Sequence, residues 1–264
     1  MCEIISISNQ KGGVGKTTTA VNLSSFLAIL GKKILIIDAD PQSNATISFG
    51  ISKNSFKKDI YHALIGTVGI RDIILETNIE NLDLIPSSIS LVGLEKTFYN
   101  NSEDREFILK KLLSGIKNSY DYIIIDTPPT LGPVALNALV ASDSLIIPIQ
   151  CEYFALDGLS QLLNTIKIIR QKLNVALKIK GFLPTMFSST TNLSKQVYLE
   201  ITNNFASHMF KFENEFIVIP RNVKLSEAPS FGEPIALYDN KSAGAKAYYN
   251  LALCIIENSS KVKG

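Results

Sequence analysis

Short apolar runs rich in isoleucine recur along the chain, at Ile4 to Ile7, Ile34 to Ile37, Leu82 to Ile85, Tyr122 to Ile125, Leu145 to Ile149, Ile179 to Leu183 and Phe216 to Ile219. Such near-continuous runs predict strands buried on both faces of a parallel sheet, because a strand with one wet face would alternate apolar with polar positions. Between the runs the period changes. From Ser102 to Tyr120, Leu109, Leu112, Leu113 and Ile116 form a stripe one helical face wide. Ser102 is placed to cap that helix, Glu103 and Asp104 suit its positive end, and Glu106 with Lys110 forms an i,i+4 pair. A second stripe, Leu156, Leu159, Leu163, Ile166 and Leu173, predicts another helix, and Ser242 to Glu257 a third. Both stripes read as core-facing.

Strands alternating with helices, with no Pro- or Gly-rich linker, repeat or low-complexity block, predict a doubly wound α/β sheet, mostly parallel, covered by helices on both faces. At 264 residues with 46% hydrophobic content, the chain can bury one large core, and a single domain over 1–264 is expected. In such folds ligands sit beyond the carboxyl ends of the strands, and the chemistry-bearing motifs fall there.

Composition narrows the classes. Twenty-six basic against 24 acidic residues leave a net charge of +2, so any nucleic-acid site has to be a local patch rather than a property of the whole surface. Cys2, Cys151 and Cys254 are far apart and odd in number, which fits a reduced cytosolic protein and no disulfide framework. His62 and His208 have no Cys or His neighbour at ligand spacing, so a zinc site is not expected. No apolar run approaches the roughly 18 residues of a membrane span. The chain opens directly on Glu3-Ile4-Ile5-Ser6-Ile7, with no signal sequence. A cytoplasmic protein is expected.

After the first apolar run comes Asn9-Gln10-Lys11-Gly12-Gly13-Val14-Gly15-Lys16-Thr17-Thr18-Thr19, then a helical stretch Ala20 to Leu30 closed by Gly31. The order strand, glycine loop, helix is that of a phosphate-binding loop. Its glycines let backbone N–H groups turn toward phosphates and the helix N-terminus adds positive potential. Lys16 reaches the β- and γ-phosphates, and the Thr17 hydroxyl can ligate Mg²⁺. The strict motif would need glycine at position 10, where Gln10 stands, and an extra lysine, Lys11, precedes Gly12. Asp126 ends the run Tyr122 to Ile125, which places a carboxylate at the sheet edge beside Thr17 for a metal-bound water.

That deviant loop resembles the ParA/MinD family of P-loop ATPases, and the resemblance extends along nearly the whole chain. Asp38-Ala39-Asp40-Pro41-Gln42-Ser43-Asn44-Ala45-Thr46 is similar to the family's switch I, and Asp126-Thr127-Pro128-Pro129 to its Walker B with switch II. Pro148 to Tyr153, Thr191-Asn192-Leu193 and Ile219 to Ser230 resemble the ParA/Soj chromosome-partitioning branch.

The resemblance implies ATP and Mg²⁺ as ligands, with Lys11, Gly12, Gly13, Val14, Gly15, Lys16, Thr17 and Thr18 around the phosphates. Asp40 then positions or deprotonates the attacking water, Asp38 supports the metal's outer shell, and Thr17 and Asp126 complete the metal set. The two aspartates, on either side of Ala39, are thus implied to take separate roles. Lys11 is implied to reach across a homodimer that sandwiches two ATP molecules, acting on the partner's phosphates much as an arginine finger does. Met186 and Pro220, Arg221 and Asn222 are implied to flank the adenine.

By the same resemblance, the ATP-bound dimer binds non-specific DNA at the nucleoid, and a ParB-type partner triggers hydrolysis and release. Lys195, Arg221, Lys224, Lys241 and Lys246 are the candidate phosphate contacts. The chain departs from the branch at Thr190, where relatives often carry arginine before the Thr-Asn-Leu run, while Lys224 keeps the charge of a second basic position without arginine geometry.

Two other functions share the loop. A MinD-like, membrane-recruited division regulator needs a cationic amphipathic tail, and only Asn258 to Gly264, with Lys261 and Lys263, follows the last expected helix. A relative of the nitrogenase iron protein needs two cysteines per subunit near the switches. Thr127 stands where no thiolate exists, and Cys151 has no partner. A partitioning ATPase is the expectation.

Overall fold

The computed structural model describes residues 2–94, 104–153 and 155–261, with the backbone alone for 155–157 and 260–261. The strands are β1 (Glu3–Ile7), β2 (Ile34–Asp38), β3 (Leu75–Glu76), β4 (Leu82–Ile85), β5 (Tyr122–Asp126), β6 (Ser144–Gln150) and β7 (Lys178–Thr185), which join in one sheet ordered β3-β4-β2-β5-β1-β6-β7. All pairings are parallel except β3 with β4. The chain goes from β1 out to β2 and β4 on one side, returns to insert β5 between β1 and β2, and continues to β6 and β7 on the other, so the loops after the parallel strands β1, β2 and β5 meet at one edge. β1 and β2 both flank β5, and Asp38 and Asp126 are register partners at the ends of their strands.

Alternation along each strand splits the core. Ile5 and Ile7 of β1 face one layer, under α1 (Lys16–Ile29) and α10 (Ala243–Lys261), with Tyr248 fully buried in it. Ile4, Leu35, Ile37, Ile123 and Ile125 face the opposite layer, against α3 (Ile60–Leu64), α4 (Ile108–Ser114) and α5 (Pro133–Ala141). Further along that second face, Leu145, Ile147 and Ile149 of β6 pack with α6 (Ala155–Lys172) and α7 (Asn192–Phe205). The fully buried strand pattern follows from helices on both faces.

Several expected elements differ. The Phe216 to Ile219 run, the last of the seven expected strands, does not join the parallel sheet. Only Glu215–Phe216 (β9) is strand, in an antiparallel hairpin with Lys211–Phe212 (β8). Beyond it Ile219 donates its N–H to Pro184 O (2.9 Å), lying along the end of β7 as irregular chain. The helix expected over Ser102 to Tyr120 is broken: a 3₁₀ turn Arg105–Phe107 leads into α4, and a further 3₁₀ turn Lys117–Ser119 follows the Gly115 C-cap. Ser102 and Glu103 lie outside the described residues. Glu106 pairs with its neighbour Arg105 (2.9 Å) instead of Lys110.

α1 begins at Lys16, four residues before the apolar stretch, since the polar loop threonines form its first turn. Leu173 lies just past α6, and α10 starts at Ala243 and continues to Lys261, beyond Glu257. Two short helices, α8 (Val223–Glu227) and α9 (Ile235–Tyr238), connect the hairpin to α10, and α2 (Asn44–Ser48) follows β2. No helix among the described residues is long and apolar enough to cross a membrane. Cys2, Cys151 and Cys254 are free thiols, the last two buried.

Candidate active site

The loop between β1 and α1 turns on two glycines with positive φ, Gly13 (74°) and Gly15 (86°), a conformation costly for any residue with a Cβ. Gly15 is also the N-cap of α1, and no side chain caps the first turn, which contains no acidic residue. The leading N–H groups of a 14-residue helix are therefore left for a ligand, and their partial positive charge selects an anion. The loop is braced from both sides. Asn9, buried, donates its side-chain amide to Pro148 O (2.7 Å) and accepts from Lys11 N–H (3.0 Å), while Thr185 Oγ1 donates to Val14 O (2.9 Å).

Lys16 is buried within the loop, with Nζ donating to Lys11 O (3.0 Å). Burial pulls its pKa down, and the carboxylates of Asp126 and Asp40 oppose that by favouring the ammonium. Asp126 is fully buried, and neither carboxylate oxygen has a hydrogen-bond partner of ordinary geometry. Its pKa lies well above the usual carboxylate value, first because burial disfavours the charge and then because Asp38 repels it; the Thr17 hydroxyl and Lys16 are close enough to oppose both. An orphaned anion at the end of a central strand is costly unless a cation completes it.

Asp38 is equally buried but fully engaged. Its Oδ2 accepts from Thr46 N–H (2.8 Å) and Thr46 Oγ1 (2.7 Å), and its Oδ1 from Asp40 N–H (3.1 Å). Burial raises its pKa to about 6 against these hydrogen bonds. Asp40, buried just beyond the end of β2, accepts from Gln42 N–H (2.9 Å) through its own carboxylate.

The set Thr17, Lys16, Asp126 fits a hard cation with phosphate: one hydroxyl, one unpartnered carboxylate and a lysine, with room for water and phosphate oxygens in the remaining positions. No cluster of three or more His, Cys, Asp or Glu that could hold a metal ion occurs among the described residues.

Lys11, half-buried, makes no ion pair through its ammonium among the described residues. The segment expected to flank the adenine is assembled by backbone pairing: Phe187 N–H donates to Ile219 O (3.1 Å) and Arg221 N–H to Phe187 O (2.8 Å). Met186, at φ 53°, sits beside Pro220 to Asn222 at the mouth of β7.

The candidate DNA contacts are less united. Lys195 lies on α7, over the second face, and Lys246 on α10, over the first, beside Phe26, Ile29 and Tyr249. Arg221 is paired with Glu152 (2.8 Å) and Lys224 with Glu227 (3.0 Å), and all five, Lys241 included, are exposed. Thr190 spends its hydroxyl locally on Ser188 (2.9 Å).

A family model described as an AAA domain matches residues 2–179. The chain is 50% identical to the sporulation initiation inhibitor protein Soj of Bacillus subtilis, over 98% of this chain and 100% of the relative. The chain belongs to the Soj/ParA family of chromosome-partitioning ATPases. It is also 45% identical to the chromosome-partitioning ATPase Soj of Treponema pallidum, over 94% of each. Among solved structures it is similar to cobyrinic acid a,c-diamide synthase from Mycobacterium smegmatis with bound ATP analog and magnesium, at 32% identity, 98% and 96% coverage and TM-score 0.84.

Reading the sequence alone missed the residues that hold the Soj/ParA loop and switch in place. Asn9 was visible in the loop, and Thr46 in switch I, but neither carried a role. Ser87, after β4, fully buried, gave no signal: its N–H donates to Thr46 Oγ1 (3.3 Å) and its hydroxyl to Asp40 O.

Proposed function

We propose that this Soj/ParA partitioning ATPase works as an ATP-driven switch in which two copies sandwich two ATP molecules, the dimer binds DNA without sequence preference, and a ParB-type partner triggers hydrolysis. The observation that carries the reading is the orphaned Asp126 carboxylate beside Thr17 and Lys16, under a loop held open by Gly13 and Gly15. The Asp126 oxygens have no partner of ordinary geometry among the described residues, Lys16 is engaged only by the carbonyl of Lys11, and a Mg²⁺–ATP complex would complete both.

When bound, Mg²⁺ neutralises charge on the β- and γ-phosphate oxygens. The chain supplies the rest. Gly12 to Thr18 present backbone N–H groups and the α1 dipole to the phosphates; Lys16 places its ammonium there; Thr17 and Asp126 hold the metal, with Asp38 behind it. Asp40 orients and accepts a proton from the attacking water, a task open to it because, among the described residues, only Gln42 N–H bonds its carboxylate. Lys11, whose ammonium makes no ion pair among the described residues, acts on the partner's phosphates. Met186 with Pro220, Arg221 and Asn222 encloses the base. The γ-phosphate thereby selects between monomer and dimer through switch I.

For DNA, Lys224 on α8 is the central contact, with Lys195, Arg221, Lys241 and Lys246 contributing from the flanks. The test uses Asp40→Ala, expected to accumulate as an ATP dimer that barely hydrolyses. Its binding to unrelated duplexes across a salt series, with and without Lys224→Ala, should differ in log–log slope by about 1.8, two contacts at about 0.9 each. Equal slopes would remove Lys224 from the DNA path, and no DNA binding by the trapped dimer would overturn the switch as a DNA-binding device.

A further inference from the structure

Thr46 and Ser87, neither of which has a catalytic role so far, tie the two switch-I aspartates into a closed ring of hydrogen bonds. Thr46, fully buried on α2, gives Oδ2 of Asp38 both its backbone N–H (2.8 Å) and its hydroxyl proton (2.7 Å). With its proton committed, the Thr46 oxygen is left as an acceptor, and it takes the N–H of Ser87 (3.3 Å). Ser87 in turn donates its hydroxyl to the carbonyl of Asp40, whose N–H returns to Oδ1 of Asp38 (3.1 Å). Every member of the ring is buried, Asp40 being the most exposed at 8%.

The ring has a direction. A hydroxyl that must donate to an anion and accept from an amide has no freedom to rotate, and in a dry setting such bonds reinforce one another. It grips both polar groups of the Asp40 backbone, the N–H through Asp38 and the C=O through Ser87. Among the described residues the Asp40 side chain itself is held by one bond, from Gln42. Its direction toward the reaction therefore depends on a backbone fixed from β4, across the sheet, by Ser87. The same Thr46 hydroxyl sets the orientation of the Asp38 carboxylate next to Asp126.

We infer that Thr46 is a positioning residue for ATP hydrolysis, acting with Ser87 through the Asp38 carboxylate and the Asp40 backbone. This rests on the proposed role of Asp40. Thr46→Val keeps the shape and the backbone bond but leaves Asp38 one donor short and the Ser87 N–H without its acceptor. Thr46→Ser keeps the hydroxyl.

The experiment measures kcat and KM for Mg²⁺–ATP, and separately the Mg²⁺ concentration that half-saturates equilibrium binding of a fluorescent ATP analogue, in wild type, Thr46→Val, Thr46→Ser, Ser87→Ala and Asp40→Ala. Thr46→Val should lose about tenfold in kcat with KM within about twofold, and require at least about threefold more Mg²⁺ for binding. Thr46→Ser should stay within about threefold of wild type in all three. A Thr46→Val enzyme with wild-type kcat, an unchanged Mg²⁺ requirement, or equal losses in the Val and Ser variants would overturn the inference. Should Thr46→Val fail to fold, Ser87→Ala decides: α2 is untouched, and kcat must fall at least about threefold at constant KM, an unchanged kcat overturning it. Asp40→Ala separates the two levels. If it still hydrolyses ATP normally, the role of Asp40 falls; if it is slow while Thr46→Val is fast, only the positioning role does.

Discussion

Replacing Asp126 with asparagine should stabilise the nucleotide-free protein while abolishing its response to Mg²⁺. In the free chain the carboxylate is fully buried, both its oxygens lack a partner of ordinary geometry, and Asp38 and Asp40 repel it more than Lys16 and Thr17 can offset. Removing one buried, uncompensated charge relieves several kcal/mol, and an amide left partly unsatisfied returns about 1–3 of that. A net gain of about 2 kcal/mol remains, worth roughly 4–8 °C in Tm for a chain of this size.

The sign with pH follows from the raised pKa. The folded state holds the Asp126 proton more tightly than the unfolded state, so the penalty is absent in acid, grows as pH climbs from the unfolded value toward the folded pKa, and is complete above it. The advantage of Asp126→Asn should therefore be larger at pH 8 than at pH 5. The assay is thermal denaturation in EDTA at both pH values, repeated with Mg²⁺ and a non-hydrolysable ATP analogue. Wild type should be the more stabilised by the metal–nucleotide complex. A variant that melts below wild type in EDTA, or gains as much from Mg²⁺, would refute the reasoning.

Lys16→Ala should lose ATP binding, read by equilibrium fluorescence, because the loop's buried counter-charge disappears; wild-type affinity would sink the phosphate-loop assignment. Lys11→Ala should still bind ATP but sediment as a monomer with ATP, since its proposed target lies on the other subunit, and a normal dimer would count against the sandwich. Gly232→Ala should destabilise by about 2–4 kcal/mol, because Gly232 has φ +68° and an added Cβ would sit 2.7 Å from the Cα of Gly50. A Tm within about 2 °C of wild type would show that this contact yields easily.

How much of this was legible beforehand follows from which interactions are local. The phosphate loop was readable because its requirements are met within about ten consecutive residues: glycines for positive φ, a lysine, a threonine and a helix start. The buried strands were readable because a doubly covered sheet leaves no polar alternation, and Asp126 was readable because it ends one of them.

What the chain could not show on its own is whatever depends on two distant segments meeting. The Phe216 to Ile219 run has a strand's composition, yet hairpin pairing to β8 and an irregular seam along β7 take its backbone hydrogen bonds instead. The expected basic face is divided because Lys195 and Lys246 sit on helices over opposite faces of the sheet, a separation set by strand order. Ser87 carries no motif at all. It acquires its partners only because β4 lies next to β2, which brings a serine 47 residues away onto the carbonyl of Asp40. The sequence by itself determined which groups bind phosphate and which strands are buried, since those depend on residue type and short spacing. Only the tertiary structure decided how the acidic residues are aimed, since that depends on buried hydrogen bonds closed across the sheet.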